Sequence, residues 1–91
     1  MIEPGSIKAK ILPFVMENAL SKGITQVGDD ESLTDRGIIN SLGIFQLVWF
    51  LEETFAIRIG DEEITNENFD SIRAIESFVA EKLAASRGKT A

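Results

Sequence analysis

Leu42, Phe45, Val48 or Trp49, Leu51 and Phe55 fall on successive turns of one helical pattern, and a helix this apolar must bury a broad face against something else. Glu52 and Glu53 mark its solvent side. The chain supplies two further amphipathic segments to cover it. Residues 6–20 place Ile7, Ile11, Phe14 or Val15 and Leu20 on a stripe of period 3.6, and a final segment does the same with Ile72, Ile75, Phe78 or Val79 and Leu83. Pro13 lacks the N–H that would bond to the Ala9 carbonyl, so the first helix is expected to kink or to begin in earnest near Leu12. Gly23 is expected to end it, with Lys22 at the negative end of its dipole.

Between the stripes, residues 23–40 form a long connection that Ile24, Val27, Leu33, Ile38 and Ile39 can pin to a core. The alternation Ala56-Ile57-Arg58-Ile59 is too short for an independent sheet and reads as an extended tether burying Ile57 and Ile59. Thr65 can cap a short turn over residues 66–69, and Asp70 or Ser71 can cap the last helix. The expectation is an all-α bundle of three main helices plus one short helix, occupying residues 1–91 as a single domain with a frayed tail at 85–91. Phe45, Val48, Leu51, Phe55, Ile57, Ile59, Ile72, Ile75 and Val79 are its expected shared core.

A chain of 91 residues holds one core and little room for a large catalytic cleft. Cysteine and histidine are both absent, which excludes disulfides, thiolate metal sites, cysteine nucleophiles and the usual general base. The run Asp61-Glu62-Glu63 lacks the spaced ligands of a calcium loop, so no metal is expected. Nine basic and fifteen acidic residues give a net charge of −6, which suits a basic protein surface and opposes binding to nucleic acid or anionic membrane. Most of the excess lies in residues 32–69, with two basic and seven acidic groups. No apolar run reaches membrane-spanning length and the first residues lack a secretory pattern, so a cytoplasmic monomer without membrane insertion is expected.

Ser41 stands where irregular sequence gives way to the central helix, in Asn40-Ser41-Leu42-Gly43-Ile44. One reading is a helix cap, made by Asn40 or Ser41. The other is an attachment point: an anion on Ser41 would face the orphan N–H groups and positive dipole end of the following helix. Gly43 lowers helix propensity by about 1 kcal/mol against alanine, and its missing side chain can leave room for a bulky substituent or a partner.

Asn40-Ser41-Leu42, followed by Gln46-Leu47-Val48 and by Leu51-Glu52-Glu53-Thr54-Phe55-Ala56-Ile57-Arg58-Ile59, resembles the acyl carrier protein family and its aminoacyl and peptidyl relatives. Phe69-Asp70-Ser71-Ile72 resembles the family's junction before the last helix, and the similarity runs from about Ile7 to Leu83. The resemblance implies that a phosphopantetheinyl transferase attaches 4′-phosphopantetheine to Ser41, and that the terminal thiol of the arm carries an acyl group as a thioester. The chain would then be a non-catalytic, stand-alone carrier of acyl or lipid metabolism, with an acyl-loading enzyme and an acyltransferase or synthase as further partners. Asn40, Leu42, Ile44, Glu52, Glu53, Glu62 and Glu63 are the expected recognition residues.

Departures from the pattern sharpen the alternatives. Asn40 replaces the usual aspartate, keeping the cap and losing a charge, and Gly43, Ile44 and Gln46 replace an acidic first part of the helix. Asp35-Arg36-Gly37-Ile38-Ile39 and Gly43…Gln46-Leu47 look closer to D-alanyl carrier proteins, so an aminoacyl carrier is one alternative. An unmodified carrier-like interaction domain is another. An independent hydrolase or transferase is disfavoured because Ser41 has no histidine to activate it and Lys22, the only plausible chain-local amine base, is separated from it by the entire connecting loop. Trp49 reads as a core or helix-interface anchor, with an apolar partner pocket as the alternative. Ile44 reads either as loop packing or as a protein-binding spot.

Overall fold

The computed structural model describes the backbone of residues 4–88 and the side chains of residues 6–85. In chain order it contains α1 (Pro4–Leu20), α2 (Ser41–Phe55), one 3₁₀ turn (Asp61–Glu63), a short α3 (Asn66–Phe69) and α4 (Ile72–Gly88). The described residues contain no strand, and the fold is an all-helical bundle of three substantial helices. The most extensive helix contact joins α1 to α4, α3 packs on α4, and α2 leans on both long helices. Among the described residues no helix is long and apolar enough to cross a membrane.

Ile7, Ile11, Val15 and Ala19 form the buried stripe of α1, one residue every fourth position. Ala19 takes the place expected for Leu20, which is exposed. The helix runs through Pro13 without a break, correcting the expected late start. Pro13 and Ala9 both lie on the exposed side, where water can satisfy the carbonyl that proline leaves without a donor. The end of α1 is a Schellman arrangement: Gly23 adopts φ 78°, its N–H donates to the Leu20 carbonyl, and Ile24 N–H donates to that of Ala19.

The long connection is pinned as its apolar residues predict, with Leu33, Ile38 and Ile39 fully buried and Ile24 and Val27 packed at the core's edge. Polar tethers complete it. Ion pairs Lys8–Asp29, Arg36–Glu31 and Arg73–Asp30 fasten its acidic run, each exposed enough to contribute little alone. The stronger fastening is to Asp70, at the junction before α4. Asp70 accepts hydrogen bonds from Ser32 Oγ at 2.7 Å, Thr34 Oγ1 at 2.7 Å and Thr34 N–H at 3.1 Å, and its carbonyl accepts from Leu33 N–H at 2.7 Å. With Asp70 so engaged, Ser71 caps α4 through Ala74 N–H, while Thr65 caps α3.

After α2, Ala56 turns the chain in the left-handed region at φ 54°, and Ile57 and Ile59 are buried with Arg58 exposed between them. Ile59 N–H donates to Glu52 Oε2 at 2.9 Å. Glu52 is therefore half-buried and bonded inward, a correction to its expected place on the solvent side. Glu63 is similarly engaged, accepting Gly60 N–H at 2.9 Å and Lys82 Nζ at 3.0 Å.

Val48, Leu51, Phe55, Ile57, Ile59, Ile72, Ile75 and Val79 share one core. Phe45 does not. It is 59% exposed, and Leu42 and Trp49 are each 67% exposed. The buried face of α2 is instead Gly43, Leu47, Val48, Leu51 and Phe55, about half a helical turn away from Leu42, Phe45 and Trp49. Covering helices lie on one side only, so one apolar face is enclosed and the other left in water. At the far end, α4 remains helical to Gly88, beyond the expected start of fraying at residue 85. Residues 89–91 of that expected tail lie outside the described residues.

Candidate functional site

Asn40 sits in extended conformation at the N-cap of α2, and its Oδ1 accepts Gly43 N–H at 2.8 Å. Its carbonyl accepts Ile44 N–H at 2.9 Å. Of the two residues able to cap, Asn40 does so, and Ser41 becomes the first residue of the helix, with an exposed side chain. Helix geometry gives the N–H groups of Ser41 and Leu42 no intrahelical acceptor. The positive end of the helix dipole thus lies beside the Ser41 hydroxyl, and the first turn holds no acidic residue to oppose an anion there.

The frame that holds this hydroxyl begins at Asp70. By anchoring Ser32 and Thr34 it fixes a turn in which Gly37, at φ 73°, donates to the Thr34 carbonyl, and Ile38 and Ile39 donate to that of Leu33. Those two isoleucines drive into the core and leave Asn40 at the helix entrance. Burial of Asp70 opposes its ionisation, but hydrogen bonds from the Thr34 and Ser32 side chains and the Thr34 backbone outweigh it and hold the carboxyl below the ordinary aspartate range.

Gly43 belongs to the same frame. It is buried, and a Cβ placed on it would lie 3.0 Å from an Ile39 methyl. Its missing side chain therefore admits the connecting loop, which corrects the expectation that it makes room for a substituent or partner.

The expected recognition residues divide into two groups. Asn40, Leu42, Glu53 and Glu62 are exposed. Ile44 is half-buried against the core, and the carboxylates of Glu52 and Glu63 hold the 56–63 connection. Glu63 is kept below the usual glutamate range by the Gly60 N–H and by Lys82, against the opposing effect of burial. Two features escaped sequence reasoning. Asp70 reads as a helix cap because nothing local ties it to Ser32 or Thr34. The outer apolar stripe was legible as a second i, i+3, i+7 set, Leu42, Phe45 and Trp49, offset from Leu47, Leu51 and Phe55.

No family model matches the sequence. A D-alanyl carrier protein from Abiotrophia defectiva is 32% identical over 56 residues, which cover 62% of this chain and 71% of that relative. With the relative covered over most of its length, and with three long helices and an exposed serine opening the second, the chain belongs to the acyl carrier protein superfamily.

Proposed function

We propose that this chain is a single-domain carrier whose Ser41 bears 4′-phosphopantetheine. The observation that supports this most is the division of labour at the entrance to α2: Asn40 makes the cap, and Ser41 is left exposed at the positive end of the helix. The residues present fit the group. In the attachment step, Ser41 Oγ gives up its proton to the transferase and forms an O–P bond, while the pyrophosphate bond of coenzyme A breaks and adenosine bisphosphate leaves. When attached, the group supplies the thiol that holds cargo as a thioester. The chain's own residues would orient and present it: Asn40 fixes the first turn, the orphan N–H groups would favour its negative charge, and Asp70 keeps the loop in place.

The D-alanyl carrier relative favours an aminoacyl cargo over a fatty-acyl one. The alternative is a general acyl carrier. An adenylating enzyme supplied with D-alanine, set against an acyl-loading enzyme supplied with fatty acid, separates them by which cargo appears on the modified chain.

Incubation with coenzyme A, magnesium ion and a phosphopantetheinyl transferase is expected to add one phosphopantetheine mass, located to Ser41 by peptide fragmentation. Ser41→Ala is expected to fold and stay unmodified. Absence of the added mass from protein isolated from its native cell would move the reading to an unmodified interaction domain.

A further inference from the structure

α2 opens without a charge. Its first turn holds no acidic residue, and the helix has no lysine or arginine. Arg36, the nearest cationic residue before it in sequence, is committed elsewhere: its Nη1 donates to the Gln26 carbonyl at 2.8 Å and to Glu31 Oε1 at 2.9 Å. Apart from Ser41 itself, Asn40 is the one residue in positions 37–45 whose side chain carries a hydrogen-bond donor.

The cap settles which way the Asn40 amide faces. Gly43 N–H donates to this side chain at 2.8 Å, and only the amide oxygen can accept it, so the two protons of Nδ2 are left over from that bond. Asn40 and Ser41 are adjacent and both exposed. The residue type is informative as well. Aspartate caps a helix as well as asparagine and gains from the positive dipole besides. Asparagine forgoes that gain and keeps two donors where an ionised carboxylate has none.

We propose that Asn40 holds the phosphodiester of Ser41: Oδ1 closes the helix while Nδ2 donates to a phosphate oxygen, and the modification supplies the negative charge that the first turn of α2 lacks. The inference rests on the carrier reading for the presence of that phosphodiester. Attachment then stabilises the chain, because a charge-assisted hydrogen bond and a favourable dipole contact are gained together. It also ties the base of the arm to the helix entrance. Asn40→Asp acts oppositely in the two states. Before attachment its carboxylate is favoured by the dipole, and after attachment it sets a second negative charge beside the first.

The test compares the full chain before and after modification by a phosphopantetheinyl transferase with coenzyme A and magnesium ion, with mass spectrometry establishing each state. The parent is set beside Asn40→Asp and Asn40→Gly, the latter because glycine is tolerated at a cap and brings neither donor nor charge. In nitrogen-15-labelled parent, the Asn40 side-chain amide resonances, assigned by their loss from unmodified Asn40→Asp, are expected to shift on modification and their protons to exchange more slowly with water. This measurement needs neither variant to be modified. In urea titrations, modification is expected to lower the unfolding constant of the parent about fourfold and that of Asn40→Gly less than about twofold. It should raise that of Asn40→Asp about twofold, a rise that shrinks between about 50 and about 500 mM salt.

Amide resonances and exchange that stay unchanged in protein carrying the added mass overturn the proposal and leave the carrier reading standing. Equal stabilisation of the parent and Asn40→Gly overturns it too, since the helix end alone then accounts for the effect. Absence of the added mass both after incubation with the transferase and in protein from its native cell overturns the proposal together with the carrier reading.

Discussion

The inner and outer faces of α2 draw on the same kinds of residue and meet opposite fates. Leu47, Leu51 and Phe55 are enclosed on one side, while Leu42, Phe45 and Trp49 stand in water on the other. Hydropathy is nearly blind to the difference. The inner face is buried because α1, α4 and the loop through Ile38 and Ile39 converge on it, and no described element crosses the outer face. Apolar surface stabilises a fold only where there is something to bury it against. The surplus on α2 therefore adds nothing to the fold, and the contrast can be broken or sharpened residue by residue.

The largest expected effect lies within the inner face. Phe55→Ala should lower stability by about 3–5 kcal/mol, because the ring is enclosed and neighbouring helices collapse only partly into the space. Chemical denaturation reads this directly, and an unchanged midpoint would erase the distinction between the faces.

Next is the fastening that keeps the loop over that inner face. Asp70→Ala should cost about 2–3 kcal/mol through loss of three hydrogen bonds to a carboxylate. The pH dependence has a defined sign. Asp70 and Glu63 both have folded-state pKa values below their ordinary ones, so their contribution is present above the ordinary carboxylate range and is lost as pH falls through the lowered values. The stability of Asp70→Asn should consequently fall less steeply than the parent's as solutions are acidified. Matching slopes in urea titrations across that range would contradict this.

A smaller effect separates two adjacent acids. Glu52→Ala leaves the Ile59 N–H without its acceptor and should cost about 1–2 kcal/mol, whereas exposed Glu53→Ala should stay within about 0.5 kcal/mol. Equal effects in thermal unfolding would show that the inward bond of Glu52 is of no consequence.

The smallest effect is expected on the outer face, where Trp49→Gln should also change stability by no more than about 0.5 kcal/mol. Trp49 is the sole tryptophan and is exposed, so the parent's fluorescence should shift little on unfolding. A large red shift on denaturation alone would place the indole in the core.

Much of this was legible in the sequence, for reasons that also mark the boundary. Ile7, Ile11 and Val15, like Ile72, Ile75 and Val79, repeat at helical spacing, and Gly23 and Thr65 terminate or start elements by local chemistry that needs no distant partner. The place of Ser41 at the start of α2 was legible because a serine beside Asn40 at the head of an apolar pattern has few places to go. What escaped depends on residues distant in the chain. Phe45 and Trp49 were assigned inward because periodicity identifies a stripe but not which stripe meets neighbours. Glu52 looked solvent-facing until Ile59, seven positions on, returned to it. Pro13 looked disruptive because the sequence does not reveal that it lies on the wet side of α1.

The bonds from Asp70 to Ser32 and Thr34 close the chain across separations of 38 and 36 residues. Contacts so distant in sequence bear a larger loop-closure entropy than those within a helix, so the entrance to α2 acquires its setting only when the connection after α1 and the junction before α4 have come together. A nascent or misfolded copy can possess a helical residues 41–55 and still lack the frame at its entrance. Under the carrier reading, covalent modification of Ser41 then discriminates between conformations as well as between sequences, and the modified pool is enriched in molecules that have completed folding.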